Sequence, residues 1–543
     1  LWARVSVAVD VVTEPAGATV SRRDYAPADA SWEEVGTSPV TVERFPFGRS
    51  RVRMELEGYE PLEVALVSSA LVAHGPFQLA PEGSIPSGLV AVPGGEAALM
   101  VPGLEQLPPL AIPDYHLGRF EVTNREYQEF VDAGGYDDPT CWAHPFELDG
   151  RTLSFEEAME RFVDTTGQPG PSTWEVGSYP DGTADHPVGG VSWYEAEAFA
   201  CFRGLSLPTV YHWYWEADPL GGSEAVPLSN FGGDGPAPVG TYAGMSRSGV
   251  FDLAGNVREW TRNSDGSGRF VIGGGWDDPR YAFNDAVTSP AFDRSPANGL
   301  RLAQYPDSMN LDAASEVIEP MFRDYTVEQP VGDEVFEVYR QLYEYDRTPL
   351  GDRVVSVDTT ELWIRQRVDM TPAYDGPTLT TFVYLPRGVS GPHQPIMYFP
   401  GSGDLYQRDY SALEPPRDFL IRSGRAFIYP AYLGTWERGT ELSSDVQNAS
   451  SLYRDHVIAW SKDFRRVVDY LETRDDMDVG SLGYFGISWG GAMGPVMVAM
   501  DERVKAAVFI VGGLMMQDVQ PAADPLNFLP RVRVPTLMFN GRY

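Results

Sequence analysis

These 543 residues are predicted to form a multidomain protein, with a small all-β domain at the start and an α/β domain at the end. The second is built on a doubly wound parallel sheet that the sequence leaves incomplete on its C-terminal side. Two observations carry this. Short strand-like runs punctuated by Gly and Pro fill residues 1–80, whereas residues 351–543 alternate near-continuous apolar runs with helical patterns, as parallel strands buried on both faces do. The length itself calls for three or four domains, and 43% hydrophobic with 12% aromatic residues is ample material for packed cores.

In the first domain, strands are expected over residues 5–12, 13–20, 37–42 and 52–56. The stretch Glu14-Pro15-Ala16-Gly17-Ala18, with Gly58-Tyr59-Glu60-Pro61 closing the unit, resembles a PEGA domain over about residues 5–80. That resemblance implies a surface- or wall-associated spacer without catalysis. The Pro/Gly-rich run Ala80-Pro81-Glu82-Gly83-Ser84-Ile85-Pro86 then serves as a linker.

The next segment, 88–305, carries Glu121-Val122-Thr123-Asn124, His186-Pro187-Val188, Val191-Ser192-Trp193-Tyr194-Glu195-Ala196, Leu207-Pro208-Thr209, the run from Gly249 through Asp252-Leu253-Ala254-Gly255-Asn256-Val257-Arg258-Glu259 to Trp260, and Gly299-Leu300-Arg301. In this order they resemble the formylglycine-generating enzyme, or sulfatase-modifying factor, fold, which implies an irregular α+β domain. Those enzymes hold copper through two cysteines that lie shortly after a Gly-Gly-Ser motif. Here Gly273-Gly274-Gly275 leads instead to Asp278 and Phe283 at the two cysteine positions. Cu(I) is a soft ion that prefers thiolates, so no copper and no formylglycine-generating oxidase activity are expected. Ergothioneine-pathway relatives need a histidine-rich iron site, and His116, His144, His186 and His212 show no H-x-x-x-H spacing. His186 and His212 are read as structural. The resemblance carries over calcium sites at Asn230, with the Phe231 carbonyl, and at Asn256 with Glu259, oxygen donors of the kind calcium takes; Glu259 as a plain hydrogen-bonded carboxylate is the alternative.

A linker and helix occupy 306–350. Val335, Phe336, Val338, Tyr339, Leu342 and Tyr343 make a helical stripe of the packing kind. Beyond it, strands are expected over 381–385, 395–399, 426–429, 504–511 and 535–539, and an amphipathic helix over 463–474 from Phe464, Val467, Val468 and Leu471.

Gly486-Ile487-Ser488-Trp489-Gly490-Gly491 is the motif that carries chemistry. A strand-like run, Ser481-Leu482-Gly483-Tyr484-Phe485, precedes it and a helix-compatible segment, 492–500, comes after, the context of a nucleophile elbow in an α/β-hydrolase. A serine hydroxyl needs an exposed position on a strained turn, a general base and oxyanion donors. Ser488 is the candidate nucleophile, and the backbone N–H groups of Trp489 and Ser402 are the candidate donors, Ser402 lying in Phe399-Pro400-Gly401-Ser402-Gly403-Asp404. The ending Val534-Pro535-Thr536-Leu537-Met538-Phe539-Asn540-Gly541 resembles the strand that delivers the triad acid in dienelactone-hydrolase-like and prolyl-oligopeptidase-like enzymes. The acid would fall at or just past Tyr543, and no histidine occurs after Ser488. His393, in what reads as a surface turn, and His456 both precede it and are not taken as the base. The expectation is therefore a truncated serine hydrolase, inactive as it stands and needing no cofactor.

Charge narrows the partners. Asp plus Glu number 77 against 41 Lys plus Arg, a formal charge of −36, which repels nucleic-acid phosphates. No apolar run is long enough to span a bilayer. Leu1 is not an initiator Met, and further covalently attached domains are expected upstream. Cys141 and Cys201 fit no metal spacing and read as two ordinary thiols, with one bridge as the alternative. Two functions are compatible with these residues. One is a serine hydrolase acting on an ester, thioester or peptide, a small-molecule or peptide substrate, with non-catalytic recognition domains. The other is a ligand-binding, sensory segment with a non-catalytic hydrolase fold. The second rests on domain order, which resembles the portion C-terminal to the kinase domain in some large bacterial serine/threonine protein kinases. No kinase signature occurs in these residues. The compartment stays open.

Overall fold

Period-two alternation organises the start of the chain. Strand β1, Ser6–Val11, buries Val9 and Val11, as side chains on one face of a pleated strand must. Strands β2 Thr19–Asp24, β3 Glu33–Thr37, β4 Val40–Pro46, β5 Arg49–Glu55 and β6 Leu62–Val67 come next. They form a four-stranded sheet in the order β3-β2-β5-β6, with β1 and β4 paired beside it. Val20, Phe45, Val52 and Met54 join Val9 and Val11 in its core. A short helix, Ser68–Ala73, breaks the all-β pattern.

The computed structural model describes residues 5–26, 30–219, 221–307, 309–410, 418–442 and 444–541, which divide into two compact units, Leu1–Pro320 and Met321–Arg542. The β domain and the domain after it share the first unit. Tyr25 Oη donates to the Met245 carbonyl at 2.7 Å and accepts the Met245 N–H at 3.0 Å. Around that pair Tyr25, Ala65, Met245 and Phe251 form a buried cluster.

The second domain of this unit is held by capped helices more than by sheet. Helix α1, Asn124–Asp132, and helix α2, Trp193–Phe202, each begin with a capping box, Thr123 with Glu126 and Ser192 with Glu195, which satisfies N–H groups no helix can satisfy internally. Helix α3, Val210–Ala217, starts at Thr209. Glu195 is buried and is neutralised by Arg294, whose Nε lies 2.9 Å away, with Tyr136 Oη donating at 2.8 Å. Cys201, in α2, is disulfide-bonded to Cys141, which corrects the reading of two free thiols: the fold brings together residues that sequence spacing leaves 60 apart. Strands β7 Arg258–Ser264 and β8 Arg269–Ile272 pair antiparallel.

In the second unit, helix α4, Asp333–Tyr343, buries Phe336 and Tyr343 and leaves Val335, Val338 and Leu342 exposed. Eight strands then build one sheet: β9 Arg353–Thr359, β10 Trp363–Met370, β11 Leu379–Pro386, β12 Pro395–Phe399, β13 Ala426–Pro430, β14 Leu482–Ile487, β15 Val504–Ile510 and β16 Thr536–Phe539. Their order is β9-β10-β11-β13-β12-β14-β15-β16. The sheet is mixed and not wholly parallel as expected: β12 through β16 run parallel, and β9, β10, β11 and β13 pair antiparallel. Short connections between β9, β10 and β11 leave no room for the crossover that parallel neighbours need. Burial on both faces also fails at the sheet's ends, since β9 and β16 are exposed throughout.

Helix α5, Ser451–Leu471, is longer than the 463–474 expected, starting at the Ser450 cap. Its first half also buries Tyr453, Val457 and Trp460, an apolar spacing that lies upstream of the stretch that carries the expected helix. Helix α6, Trp489–Ala499, is buried along nearly its whole length. Among the described residues no helix is long and apolar enough to cross a membrane.

Candidate active site

Ser488 stands between the end of β14 and the start of α6 and is exposed. Its backbone, at φ +52° and ψ −111°, is one an L residue occupies at a cost of order 1–3 kcal/mol. Neighbouring contacts hold it there. The Ser488 N–H donates to the Ile510 carbonyl on β15 at 2.8 Å, and the Gly490 N–H donates to the Pro400 carbonyl at 2.9 Å. Tyr484 Oη donates to the Gly490 carbonyl at 2.6 Å. Two glycines are needed for close approach: a Cβ on Gly486 would meet Gly490 O at 2.2 Å, and one on Gly490 would meet Phe399 O at 2.1 Å.

The 400–405 loop lies against this turn, since a Cβ on Gly401 would come 3.6 Å from Ser488 Cβ. Ser402 opens the short 3₁₀ turn Ser402–Leu405, and Trp489 opens α6. At a first helical position the N–H has no partner within the helix, and neither N–H donates to another protein group among the described residues. Asp404 fixes the loop from behind. Its carboxylate accepts from Tyr429 Oη and from Trp436 Nε1–H, the latter at 2.8 Å, and burial pushes its pKa above the ordinary aspartate value despite those bonds. The Trp489 ring packs edge-on against Phe399 and Trp460.

Among the described residues neither His393 nor His456 hydrogen-bonds Ser488. His393 is buried and not in a surface turn: its backbone makes an isolated parallel bridge to Met477, and its Nδ1 lies 3.3 Å from the Gly424 carbonyl. Composition suggests a turn because Gly391 and Pro392 precede it, but the residue is buried and makes an isolated bridge just before β12. His456 sits inside α5 with Nε2 on Thr440 Oγ1 at 2.8 Å and Nδ1 on the Leu452 carbonyl at 2.7 Å. The ending that would carry the acid is described only to Gly541; Arg542 and Tyr543 lie outside the described residues.

In the first unit, the positions that carry copper cysteines in the resembled enzymes hold something else. Asp278 is clamped bidentately by Arg258, through Nε and Nη2, both at 2.7 Å, and Phe283 is packed into the core beside Trp213. A guanidinium-bound carboxylate and a phenyl ring do not fit a Cu(I) site. Of the calcium candidates, Asn256 and Glu259 have protein partners. Glu259 is fully buried against Arg301, with Nη2 at 2.6 Å and Nε at 2.9 Å, and accepts Trp213 Nε1–H at 2.7 Å. Asn256 Oδ1 accepts from Asn230 Nδ2 at 3.1 Å and from the Ala237 N–H at 2.8 Å, while Asn256 Nδ2 donates to Glu121 at 2.6 Å. Asn256 Oδ1 and the Glu259 carboxylate thus accept hydrogen bonds from N–H donors. In the sequence Glu121 and Arg301 are only markers of the resemblance; that they share one buried network shows in the fold alone, because they lie far apart along the chain.

Burial pushes Glu121 well above the usual carboxylate range and Asp252 up to about 6. The histidines of this unit are dispersed. His116 Nδ1 meets Gln304 Oε1 at 3.1 Å, His144 lies on Trp193, and His212 Nδ1 contacts Thr209 Oγ1 at 2.6 Å with its pKa driven down to about 3 by burial. No group of three or more His, Cys, Asp or Glu able to hold a metal forms among the described residues.

Residues 76–306 match the sulfatase-modifying factor enzyme 1-like domain family. A hercynine oxygenase of Mycolicibacterium smegmatis is 34% identical over 198 residues, covering 32% of this chain and 44% of that protein. The serine/threonine-protein kinase Pkn1 of Chlamydia trachomatis is 37% identical over 162 residues, 28% of this chain and 24% of that one. The chain thus spans less than half of these relatives' length. Among solved structures, acetyl xylan esterase 1 from Thermoanaerobacterium sp. superposes with a TM-score of 0.31 at 12% identity, covering 40% of this chain and 90% of that one.

Proposed function

We propose that Ser488 of the second unit is the nucleophile for acyl transfer, in hydrolysis of an ester, thioester or peptide, while the first unit contributes recognition and no oxidation. The observation that carries this is Ser488 itself: a serine kept at φ +52° on an exposed strand-to-helix turn, with two unengaged N–H groups nearby. Strain of that kind is retained where neighbouring structure enforces it and clusters at functional positions. Ser488 Oγ would attack the acyl carbon, its proton passing to a base, and the oxyanion would be met by the N–H groups of Trp489 and Ser402. His393 Nδ1 and both His456 ring nitrogens are engaged elsewhere, so the reading calls for another base.

Fluorophosphonate labelling tests this. The chain should label slowly at Ser488, faster when imidazole is added as a surrogate base, and not at all as Ser488→Ala. Absence of Ser488 labelling at high probe and imidazole overturns the proposal; rapid labelling without imidazole reveals a base in the chain and removes the expectation of inactivity.

A second reading is favoured by the Arg258–Asp278 clamp, a filled metal position in a domain that otherwise keeps its enzyme-like fold. On it, the chain is a ligand-binding segment of a protein kinase, as the similarity to Pkn1 suggests. The Ser488→Ala variant separates the two, since a binding role survives it.

A further inference from the structure

Two residues of the second unit leave neighbouring parallel strands in the same strained way. Ile487 of β14 pairs with Ile510 of β15, and the residues that follow them, Ser488 and Val511, stand at φ +52° and +50°. For a β-branched residue that conformation is a rare outlier. Val511 adopts it directly before Gly512 and Gly513, where a third glycine would sit without strain. The valine gains no core burial in return, since 65% of it is exposed. What its side chain contributes is therefore contributed at the surface.

Contacts on both sides hold Val511 beside the candidate nucleophile. The Ile510 carbonyl just before it accepts the Ser488 N–H at 2.8 Å, and the Val511 N–H donates to the Phe539 carbonyl of β16 at 2.7 Å. Gly512, just after it, lies against the first turn of α6, where a Cβ on Gly491 would meet Gly512 Cα at 2.9 Å. On the other side of β14 lies β12. In the loop that leaves β12, Tyr406 ends the Ser402–Leu405 turn and is 57% exposed. Charged groups of that loop are turned to other partners, Asp404 to Tyr429 and Trp436, and Arg408 Nη1 to the Leu405 carbonyl at 3.0 Å. An aliphatic and an aromatic side chain, both open to solvent, thus flank the strand end that carries Ser488.

We propose that Val511 is a specificity-determining residue which, with Tyr406, gives Ser488 an apolar wall, so that the substrate is an ester or thioester with an apolar, uncharged acyl chain. Removing an alkyl chain and the exposed valine from water together is favourable. A charged or strongly hydrated acyl group would shed its water there without gaining a polar partner. This inference rests on the acyl-transfer reading of Ser488 and adds the chemistry of the acyl group to it.

Two fluorophosphonates with the same reactive head, one bearing a decyl arm and one an oligo(ethylene glycol) arm, test it on the full chain with imidazole as the base. In each, Ser488 Oγ displaces fluoride from phosphorus and its proton passes to imidazole; labelling is read by mass spectrometry. The decyl probe is expected to label about tenfold faster, the worth of two methylenes removed from water. Val511→Thr keeps the branching and the backbone demand but exchanges a methyl for a hydroxyl, whereas Val511→Gly removes side chain and strain together. Each should lower the decyl preference by roughly threefold or more, about the worth of one methyl, while keeping a cooperative unfolding transition. Labelling without a decyl preference, or a preference unchanged in both variants, overturns the role of Val511. No labelling of Ser488 by either probe overturns the acyl-transfer reading itself.

Discussion

Arg301 and Glu259 show how one buried pair can decide the fate of a domain. Both side chains are fully buried, and Arg301 also donates to the Gly118 and Phe251 carbonyls, at 2.8 and 2.9 Å. Removing one partner leaves an uncompensated interior charge, so Glu259→Gln should cost about 3–5 kcal/mol in denaturant unfolding of the first unit. Replacing both by Met should cost less than the single change, which a double-mutant cycle would read directly. His212 makes a different demand. Because burial holds its pKa at about 3, the unfolded chain binds a proton near pH 6.5 that the folded chain refuses. Between those values the unfolded state carries more protons, so stability falls as pH falls, by up to about 1.4 kcal/mol per pH unit. His212→Gln should therefore lose stability less steeply than the native chain between pH 6 and 4, with no change of slope above pH 7. Parallel curves would show that His212 does not control the acid limb.

The β14–Ser488–α6 element is where residue chemistry becomes geometry, and its glycines are the part most sensitive to change. Gly490→Ala would force a methyl into the Phe399 carbonyl at 2.1 Å, so β12 and α6 must separate. A loss of roughly 1–3 kcal/mol is expected for such overpacking, with Ser488 labelling falling further than the global stability loss explains; an Ala variant of native stability and labelling would refute the close-packed turn. This element is legible in the sequence because strand, glycine turn and helix are each local patterns. Strand β12 lies on the residues its apolar run marks, and β11, β13 and β15 differ from expectation only at their ends. The illegible part is long-range. The antiparallel half of the sheet depends on which strands become neighbours, the burial of His393 on a bridge to the distant Met477, and the Glu121–Asn256 contact on a fold without a strong period. Asn256 and Glu259 are three apart in the sequence, yet Asn256 precedes β7 and bonds Asn230 and Glu121 while Glu259, on β7, bonds Arg301, partners that no local pattern names.

At the scale of the first unit, the question is whether the β domain is a tethered spacer or part of one cooperative structure. The contacts argue for the second. Tyr25 Oη satisfies both the N–H and the carbonyl of Met245, Arg51 donates to the Ala243 carbonyl, and the Ala65 N–H donates to the Arg247 carbonyl at 3.1 Å. Each is a buried or half-buried polar group whose partner lies in the other domain, so separating them would strand backbone groups that cost about 1–3 kcal/mol apiece if water does not replace the bond. Two domains coupled this strongly should melt together. Calorimetry of the first unit's transition is then expected to show one step, and Tyr25→Phe, which removes only the hydroxyl, should lower that step by about 1–3 kcal/mol while keeping it single. If Tyr25→Phe instead splits the transition, the β domain has its own stability and the hydroxyl is the latch between them. If the native chain already melts in two steps, these contacts are too weak to couple the domains, and the spacer reading implied by the PEGA resemblance is the better one.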